Sequence, residues 1–229
     1  MTHKTNPISH RLGIFENWRS RYFKRKDLGF LLEEDHLIRD LIDKKFKRSG
    51  IERIEIERSG QEVKLFIFSA RPGFIIGRGG TGINDLRQEL EKNISKLRQK
   101  NNYSQDFVLQ ISVEEVKKPE ISARIVSENI ALALEKRAPF RRVMKSTLSK
   151  IMSYKEVKGA KILVSGRLGG VEISRTEWLS DGKIPLITLR SKIDYTENRA
   201  YCSYGVLGIK VWIYKGEQTD FDETKKLEI

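Results

Sequence analysis

Three glycines and one arginine lie in four consecutive positions, Gly77-Arg78-Gly79-Gly80, and a helical pattern follows at once. Glycine at this density indicates a sharply bent backbone or a close approach to a ligand. Together with Gly82, the spacing also matches the G-x-G-x-x-G turn that binds dinucleotide cofactors. That turn needs a strand running directly into its first glycine and a carboxylate about 20 residues further on. Here Pro72-Gly73 interrupts the chain and Asn102 stands where the carboxylate belongs, so we expect no nucleotide cofactor.

The same residues fit the GxxG loop of the KH RNA-binding module better. Backbone N–H groups at a helix N-terminus bind anions, the missing side chains let a phosphodiester come close, and Arg78 adds a cation. KH modules use such a loop to clamp about four nucleotides of backbone. Gly77, Arg78, Gly79 and Gly80 are therefore the first predicted RNA site. A tight structural turn without a ligand is the alternative reading, which the charge and the element order below disfavour.

The basic residues of this chain are clustered. Its 229 residues carry a net charge of +13, which favours a polyanionic partner. Eight Lys or Arg and a single acid occupy residues 136–158. On a helix turning about 100° per residue, Arg141, Arg142 and Lys145 share one arc of about 100° opposite an apolar face. They form a second predicted RNA site, with binding that weakens as salt rises. A solvated helix face is the alternative.

Residues suited to catalysis or metal binding show no motif spacing. Three scattered histidines and one cysteine, Cys202, do not make a metal site, and no nucleophile motif is present. No apolar run approaches the ~20 residues of a membrane helix, and the amino terminus lacks the apolar region of a secretory signal. We expect no enzyme activity, cofactor, metal, membrane partner or small-molecule substrate, and a location in the reducing cytosol.

The hydrophobic periodicity predicts an α+β protein with a basic N-terminal arm over residues 1–27. Residues 28–117 should form one domain in the order helix, strand, strand, glycine turn, helix, strand, which matches the αββααβ order of a type II KH domain. Its predicted elements are helix Leu31–Arg48, the hairpin strands Ile51–Arg58 and Glu62–Ala70, a helix from Ile83 onward, and strand Phe107–Val113.

Residues 118–217 should form a second domain, in which two helices pack on a mainly antiparallel sheet. One helix begins near Pro119, and the other spans Phe140–Tyr154. The predicted strands are Lys161–Ser165, Val171–Trp178, Ile187–Tyr195, Ala200–Tyr204 and Leu207–Tyr214. Residues 218–229 are a charged stretch without an apolar face, and we predict a disordered tail.

Five segments resemble one known family. The chain is similar to small-subunit ribosomal protein three of the bacterial and organellar type over residues 1–217. The resemblance is carried by NPISHRLGI (Asn6–Ile14), ARPGFIIGRGG (Ala70–Gly80), PFRRVMK (Pro139–Lys145), SGRLGGVEISRTEW (Ser165–Trp178) and YGVLGIKVWIYKGE (Tyr204–Glu217). The pattern SGRLGG…RTEW is the most specific of these. It argues against the alternative of a free-standing KH protein that acts on messenger RNA.

The resemblance implies a type II KH domain followed by an α+β domain, placed in the head of the small ribosomal subunit and bound to its ribosomal RNA. It implies that Arg141, Arg142 and Lys145 line the channel where messenger RNA enters and assist its passive unwinding. It further implies contacts with ribosomal RNA and with neighbouring head proteins of families ten and fourteen. The matching rRNA-binding candidates are Lys4, His10, Arg11, Arg167 and Arg175. The family's GxxG loop commonly holds two basic residues, whereas here the second position is Gly79.

Overall fold

The computed structural model describes residues 5–22, 27–46, 49–101, 103 and 106–218. The candidate Lys4 and residues 219–229 of the predicted tail lie outside these ranges. The chain divides into two compact units. We call Trp18–Pro119 the central unit, and Met1–Asn17 together with Glu120–Ile229 the split unit.

The predicted arm of residues 1–27 is divided between the two units. In the split unit, Pro7–Arg11 forms the short helix α1, because Pro7 occupies its first turn and the Asn6 side chain accepts a hydrogen bond from the Ile8 N–H at 2.9 Å. In the central unit, Ser20–Tyr22 forms strand β1. The structure thus differs from a free arm at these positions, because local capping and strand pairing satisfy the backbone there.

The central unit has the αββααβ order predicted from the sequence. Its elements are helix α2 (Leu28–Lys45), strands β2 (Ile51–Ser59) and β3 (Glu62–Ser69), helices α3 (Pro72–Ile76) and α4 (Thr81–Lys100), and strand β4 (Val108–Glu115). The sheet order is β1-β2-β3-β4, with β2 antiparallel to β3 and the two outer pairs parallel. Aliphatic side chains from α2, α4 and the strands form its core, among them Ile38, Ile42, Ile56, Ile67, Leu86 and Leu90.

A buried ion network ties the elements of the central unit together. The Arg58 guanidinium donates to Glu34 at 2.8 Å and to Asp35 at 2.6 Å, and Arg98 donates to Glu34 at 3.0 Å. Tyr22 on β1 donates its hydroxyl to Asp35 at 2.5 Å. Burial, together with this hydrogen bond, raises the pKa of Tyr22 to about 12. The two carboxylates match the two guanidiniums, so each buried charge has a partner.

The split unit confirms the predicted mix of helices and antiparallel sheet. Helices α5 (Ala123–Glu135) and α6 (Phe140–Met152) precede strands β5 (Gly159–Gly166), β6 (Arg175–Gly182), β7 (Ser191–Cys202) and β8 (Gly205–Glu217). The strand order is β6-β5-β8-β7, and every pairing is antiparallel. Both helices contribute to the apolar core on one face of the sheet, where Val126, Ile130, Leu134, Met144 and Ile151 meet Ile162, Val164, Ile209 and Val211.

Three strand predictions in this unit were wrong. The predicted strands Ile187–Tyr195 and Ala200–Tyr204 overlap one strand, β7 (Ser191–Cys202), whose pairing with β8 continues through Thr196–Arg199. These polar residues interrupt the apolar alternation that predicts a strand. Strand β7 continues through them because it lies at the edge of the sheet, where polar side chains do not end the pairing. The predicted strand Val171–Trp178 begins only at Arg175, since Leu168–Gly170 forms a single 3₁₀ turn with Gly169 at φ 75°.

Candidate nucleic-acid interface

The glycine loop of the central unit connects two helices by a sharp backbone turn. Helix α3 ends at Ile76, a single 3₁₀ turn spans Arg78–Gly80, and α4 begins at Thr81. Gly77, Gly79 and Gly80 have φ values of 71°, 61° and 79°. This left-handed region is open to glycine at no steric cost and disfavours other residues. Gly79, where the family commonly has a basic residue, therefore has a defined conformational reason to be glycine.

The base of the loop is closed by backbone contact. A Cβ added at Gly82 would lie 2.6 Å from the Ile75 carbonyl oxygen, and one added at Gly77 would lie 2.9 Å from the Gly82 nitrogen. These two glycines let the end of α3 approach the start of α4. Gly82 matched the cofactor fingerprint in the sequence, but its role here is this close packing of helices.

The tip of the loop is open. A Cβ added at Gly79 or Gly80 would have no heavy-atom neighbour within 4 Å among those considered around it. Arg78 is exposed, and Phe74 on the short helix α3 is 63% exposed although the adjacent Ile75 is fully buried. A phosphodiester could reach the bare backbone at this tip, where Arg78 supplies one exposed cation. The sequence pattern does not mark Phe74 as exposed, because an apolar residue beside two isoleucines resembles part of the core.

Helix α6 of the split unit presents its three basic candidates to solvent. Met144 and Ile151 are buried, and Phe140, Val143 and Leu148 pack against the same core. Arg141, Arg142 and Lys145 are all exposed. The structure thus brings these cations together on the side away from the core, where the helical period placed them.

A carboxylate from strand β6 joins this basic surface. Glu177 accepts hydrogen bonds from Arg141 Nε at 3.1 Å and Arg141 Nη2 at 3.2 Å, and Arg175 Nε lies 3.2 Å from Glu177 Oε1. The hydrogen bonds from Arg141 lower the pKa of the Glu177 carboxyl, and Glu177 in turn raises the pKa of Arg141. The Arg141 and Arg175 guanidiniums lie 5.6 and 5.8 Å from the centroid of the Phe140 ring. Arg175 therefore belongs to the same surface as the α6 cations. In the sequence, Arg175 is an rRNA candidate separate from the α6 cations, and no motif marks Glu177.

The other candidates of the split unit differ in accessibility. His10 is exposed, while Arg167 is half-buried and donates to the carbonyl oxygens of Val171 at 2.9 Å and Tyr204 at 3.3 Å. Arg167 therefore braces the turn between β5 and β6 and keeps part of its side chain in solvent.

Arg11 departs from its predicted role as an rRNA contact. Its side chain is 1% exposed, and its guanidinium donates to the carbonyl oxygens of Ser191 at 2.7 Å, Thr188 at 2.8 Å, Pro7 at 2.9 Å and Leu186 at 3.0 Å. Burial lowers the pKa of Arg11. An arginine with its donors engaged inside the protein cannot bind a phosphate, so we withdraw Arg11 from the RNA candidates.

Neither a metal-binding cluster nor a membrane-spanning helix occurs among the described residues. No group of three or more His, Cys, Asp or Glu side chains there could hold a metal ion. Within the same ranges, no helix combines the length and the apolar character needed to cross a membrane.

Comparison with known proteins matches both units to families. Residues 37–121 match the family model "KH domain", and residues 130–213 match "Ribosomal protein S3, C-terminal domain". The small ribosomal subunit protein uS3 of Lawsonia intracellularis is 46% identical over 225 residues, covering 98% of this chain and 100% of that protein. The uS3 proteins of Desulfitobacterium hafniense and Geobacter metallireducens are each 45% identical over 217 residues, covering 95% of this chain and 94% and 97% of theirs. Identity of this level over nearly the whole length shows that the chain belongs to the small ribosomal subunit protein uS3 family.

Proposed function

We propose that this chain is a structural constituent of the small ribosomal subunit, that it binds ribosomal RNA, and that helix α6 faces messenger RNA where it enters the subunit. Membership of the uS3 family supports the ribosomal role, and this family is structural and non-enzymatic. The contact of α6 with messenger RNA and the assistance to unwinding are the finer parts of the proposal.

The observation that carries the finer part is the exposed side of α6. Arg141, Arg142 and Lys145 stand on a helix whose opposite side is anchored in the core of the split unit. Cations on a firmly packed helix hold their positions while RNA moves past them. Each phosphate that they neutralise releases counterions, which makes the contact favourable without reading sequence. A surface of this kind suits messages of any sequence.

Unwinding by such a surface is passive. The α6 cations would hold a separated strand by its phosphates and so disfavour its return to a hairpin. The movement of the message through the ribosome would supply the work. The residues of α6 contribute charge and position, and no covalent step is needed.

The remaining predicted contacts form the rest of the proposal. The open tip of the glycine loop, Gly77–Gly80, would hold an RNA backbone in the manner of KH modules. His10, Arg167 and Arg175 would contact ribosomal RNA, and other surfaces would meet head proteins of families ten and fourteen. The proposed domains are 28–117 for the KH domain and 118–217 for the C-terminal domain, and the proposed location is on cytoplasmic ribosomes.

Ribosomes that carry the triple change R141A/R142A/K145A test the proposal. We expect them to translate an unstructured message at the normal rate and to slow severalfold at a stable hairpin, because the strand-holding charges are gone. The matched control is K150A/K155A/K158A, which removes the same charge from exposed lysines nearby. Normal passage through hairpins by the first triple variant would refute a role for α6 in unwinding.

Sedimentation tests the coarser role. We expect the chain in cell extract to travel with the small subunit through a sucrose gradient and to remain there after a high-salt wash. Release by salt would indicate a factor held by charge alone, since screening weakens exposed ionic contacts far more than buried ones.

A further inference from the structure

A carboxylate within a basic surface that is proposed to bind RNA is unexpected, because its negative charge repels the RNA phosphates. Glu177 occupies this position. It lies on strand β6, and its side chain is 27% exposed. It accepts hydrogen bonds from Arg141 and forms an ion pair with Arg175, and the proposed function assigns both arginines to RNA.

The geometry of this contact follows from the strand and helix that carry it. Residues two apart on a strand face the same side of a sheet, so Arg175 and Glu177 lie on one face of β6. Glu177 pairs in register with Val164 of β5, whose side chain belongs to the core under the helices. The face of β6 that carries Glu177 is therefore the face on which α6 packs. Arg141 reaches the carboxylate from the first turn of that helix.

The carboxylate uses the donors that RNA would use. Arg141 presents Nε and Nη2 side by side, and each donates to a different oxygen of Glu177. Oxygen Oε1 also faces Arg175 Nε at 3.2 Å. Carboxylates and phosphates fit the same paired donors of arginine. A phosphate that takes this edge of Arg141 must displace Glu177.

Displacement of Glu177 from Arg141 requires little free energy. The Arg141 side chain is 74% exposed, so RNA can reach it without any movement of the backbone. Ion pairs in such exposed positions are weak, because water and salt compete for both partners. Glu177 thus lowers the affinity of the surface without blocking it.

We propose that Glu177 is an internal competitor for RNA phosphate that keeps the contact of Arg141 with messenger RNA weak and rapidly exchanging. The proposal rests on the proposed contact of α6 with messenger RNA. A message that moves through the subunit must leave each contact as readily as it forms it. Cations without a local competitor would hold the strand longer at every step.

The test is the binding of the full chain to a fluorescently labelled single-stranded oligouridylate, measured over a range of salt concentrations. We expect Glu177→Gln to bind about 3- to 10-fold more tightly at low salt, because the change frees two guanidiniums. Its dependence on salt should steepen by about 0.7 in the logarithmic slope, the value for one further phosphate contact on a single strand. In the R141A/R175A background, the same change should give no gain.

Glu172→Gln is the matched control. Glu172 is an exposed acid just before β6, and its replacement changes the net charge equally. A gain from Glu172→Gln as large as that from Glu177→Gln would overturn the proposal, since net charge alone would then explain the result. Unchanged or weaker binding by Glu177→Gln would also overturn it. Circular dichroism of each variant confirms that the fold is retained.

The outcomes separate this inference from the proposed function beneath it. If R141A/R142A/K145A weakens binding but Glu177→Gln has no effect, α6 still contacts RNA and only the competitor role fails. If the triple variant binds as the wild type does, the proposed contact of α6 fails, and the competitor role falls with it.

Discussion

Replacement of Arg11 by alanine separates a structural arginine from an RNA ligand. The guanidinium holds four carbonyl oxygens at 2.7–3.0 Å, three of them in the segment 186–191 that leads into β7. Through these bonds it ties helix α1 to that segment. The variant Arg11→Ala leaves all four carbonyl oxygens without this donor.

The loss of stability in Arg11→Ala depends on whether these four carbonyl oxygens find another hydrogen-bond donor. Each hydrogen bond to a charged group contributes about 1.5–3 kcal/mol net to stability. The cost of removing the guanidinium from water offsets several kcal/mol of the summed contribution of the four hydrogen bonds. Each carbonyl oxygen left without a partner costs about 1 kcal/mol where water can reach it in part. We therefore expect Arg11→Ala to lower the free energy of unfolding of the split unit by about 3–5 kcal/mol. For a unit of this size, the loss corresponds to a fall of roughly 12–20 °C in Tm.

Calorimetry together with hydrogen exchange measures this loss. Amides of β7 should lose protection in Arg11→Ala, whereas amides of the central unit should not. Arg11→Lys should lose a similar amount, because a single ammonium cannot replace the arginine fork. The neighbouring exposed His10→Ala is the control and should stay within about 0.5 kcal/mol of the wild type.

RNA binding supplies the result that would refute this reasoning. At a temperature where both proteins are folded, Arg11→Ala should bind single-stranded RNA as tightly as the wild type. A variant with unchanged Tm and severalfold weaker binding would show that Arg11 is an RNA ligand, as the family resemblance implied.

Three further changes probe the central unit. Gly79→Asp should cost only about 1 kcal/mol of stability, because a side chain strains the left-handed backbone but has open space around it. Its RNA affinity should fall at least fivefold. Gly82→Ala should cost about 1–3 kcal/mol of stability, because the added Cβ meets the Ile75 carbonyl oxygen. Urea titration and RNA binding on the same samples check both, and unchanged affinity in Gly79→Asp would make the loop purely structural. Since the pKa of Tyr22 is raised to about 12, its neutral hydroxyl contributes stability that is present below about pH 10 and lost as the pH rises toward 12. Thermal melts between pH 8 and 12 should show a shallower alkaline loss for Tyr22→Phe than for the wild type or for the exposed control Tyr201→Phe, and equal slopes would contradict this.

The loop in this chain has one cation where the family commonly has two. With Gly79 in the second position, the charge at the tip comes from Arg78 alone. Phe74 is exposed on the short helix α3 that precedes the loop.

Helix α6 and the hairpin of β2 and β3 are predictions from local pattern that agree with the structure. Helix α6 begins at Phe140 as predicted, and its period alone placed Arg141, Arg142 and Lys145 on one exposed side. The hairpin of β2 and β3 likewise followed from alternation and the Ser59-Gly60 turn. Local sequence suffices in these cases, because the period of an element determines which side chains share a face.

Contacts between distant residues were decided by the tertiary structure alone. Arg11 and Ser191 are 180 positions apart, and Arg141 and Glu177 are 36 apart. A basic residue in a motif looks the same in sequence whether its donors face solvent, a carboxylate or buried carbonyls. Periodicity contains no information about which segment folds over an element. The sequence therefore determined which residues carry charge and on which side of a helix they stand, and only the packed chain decided which of those charges remain available to RNA.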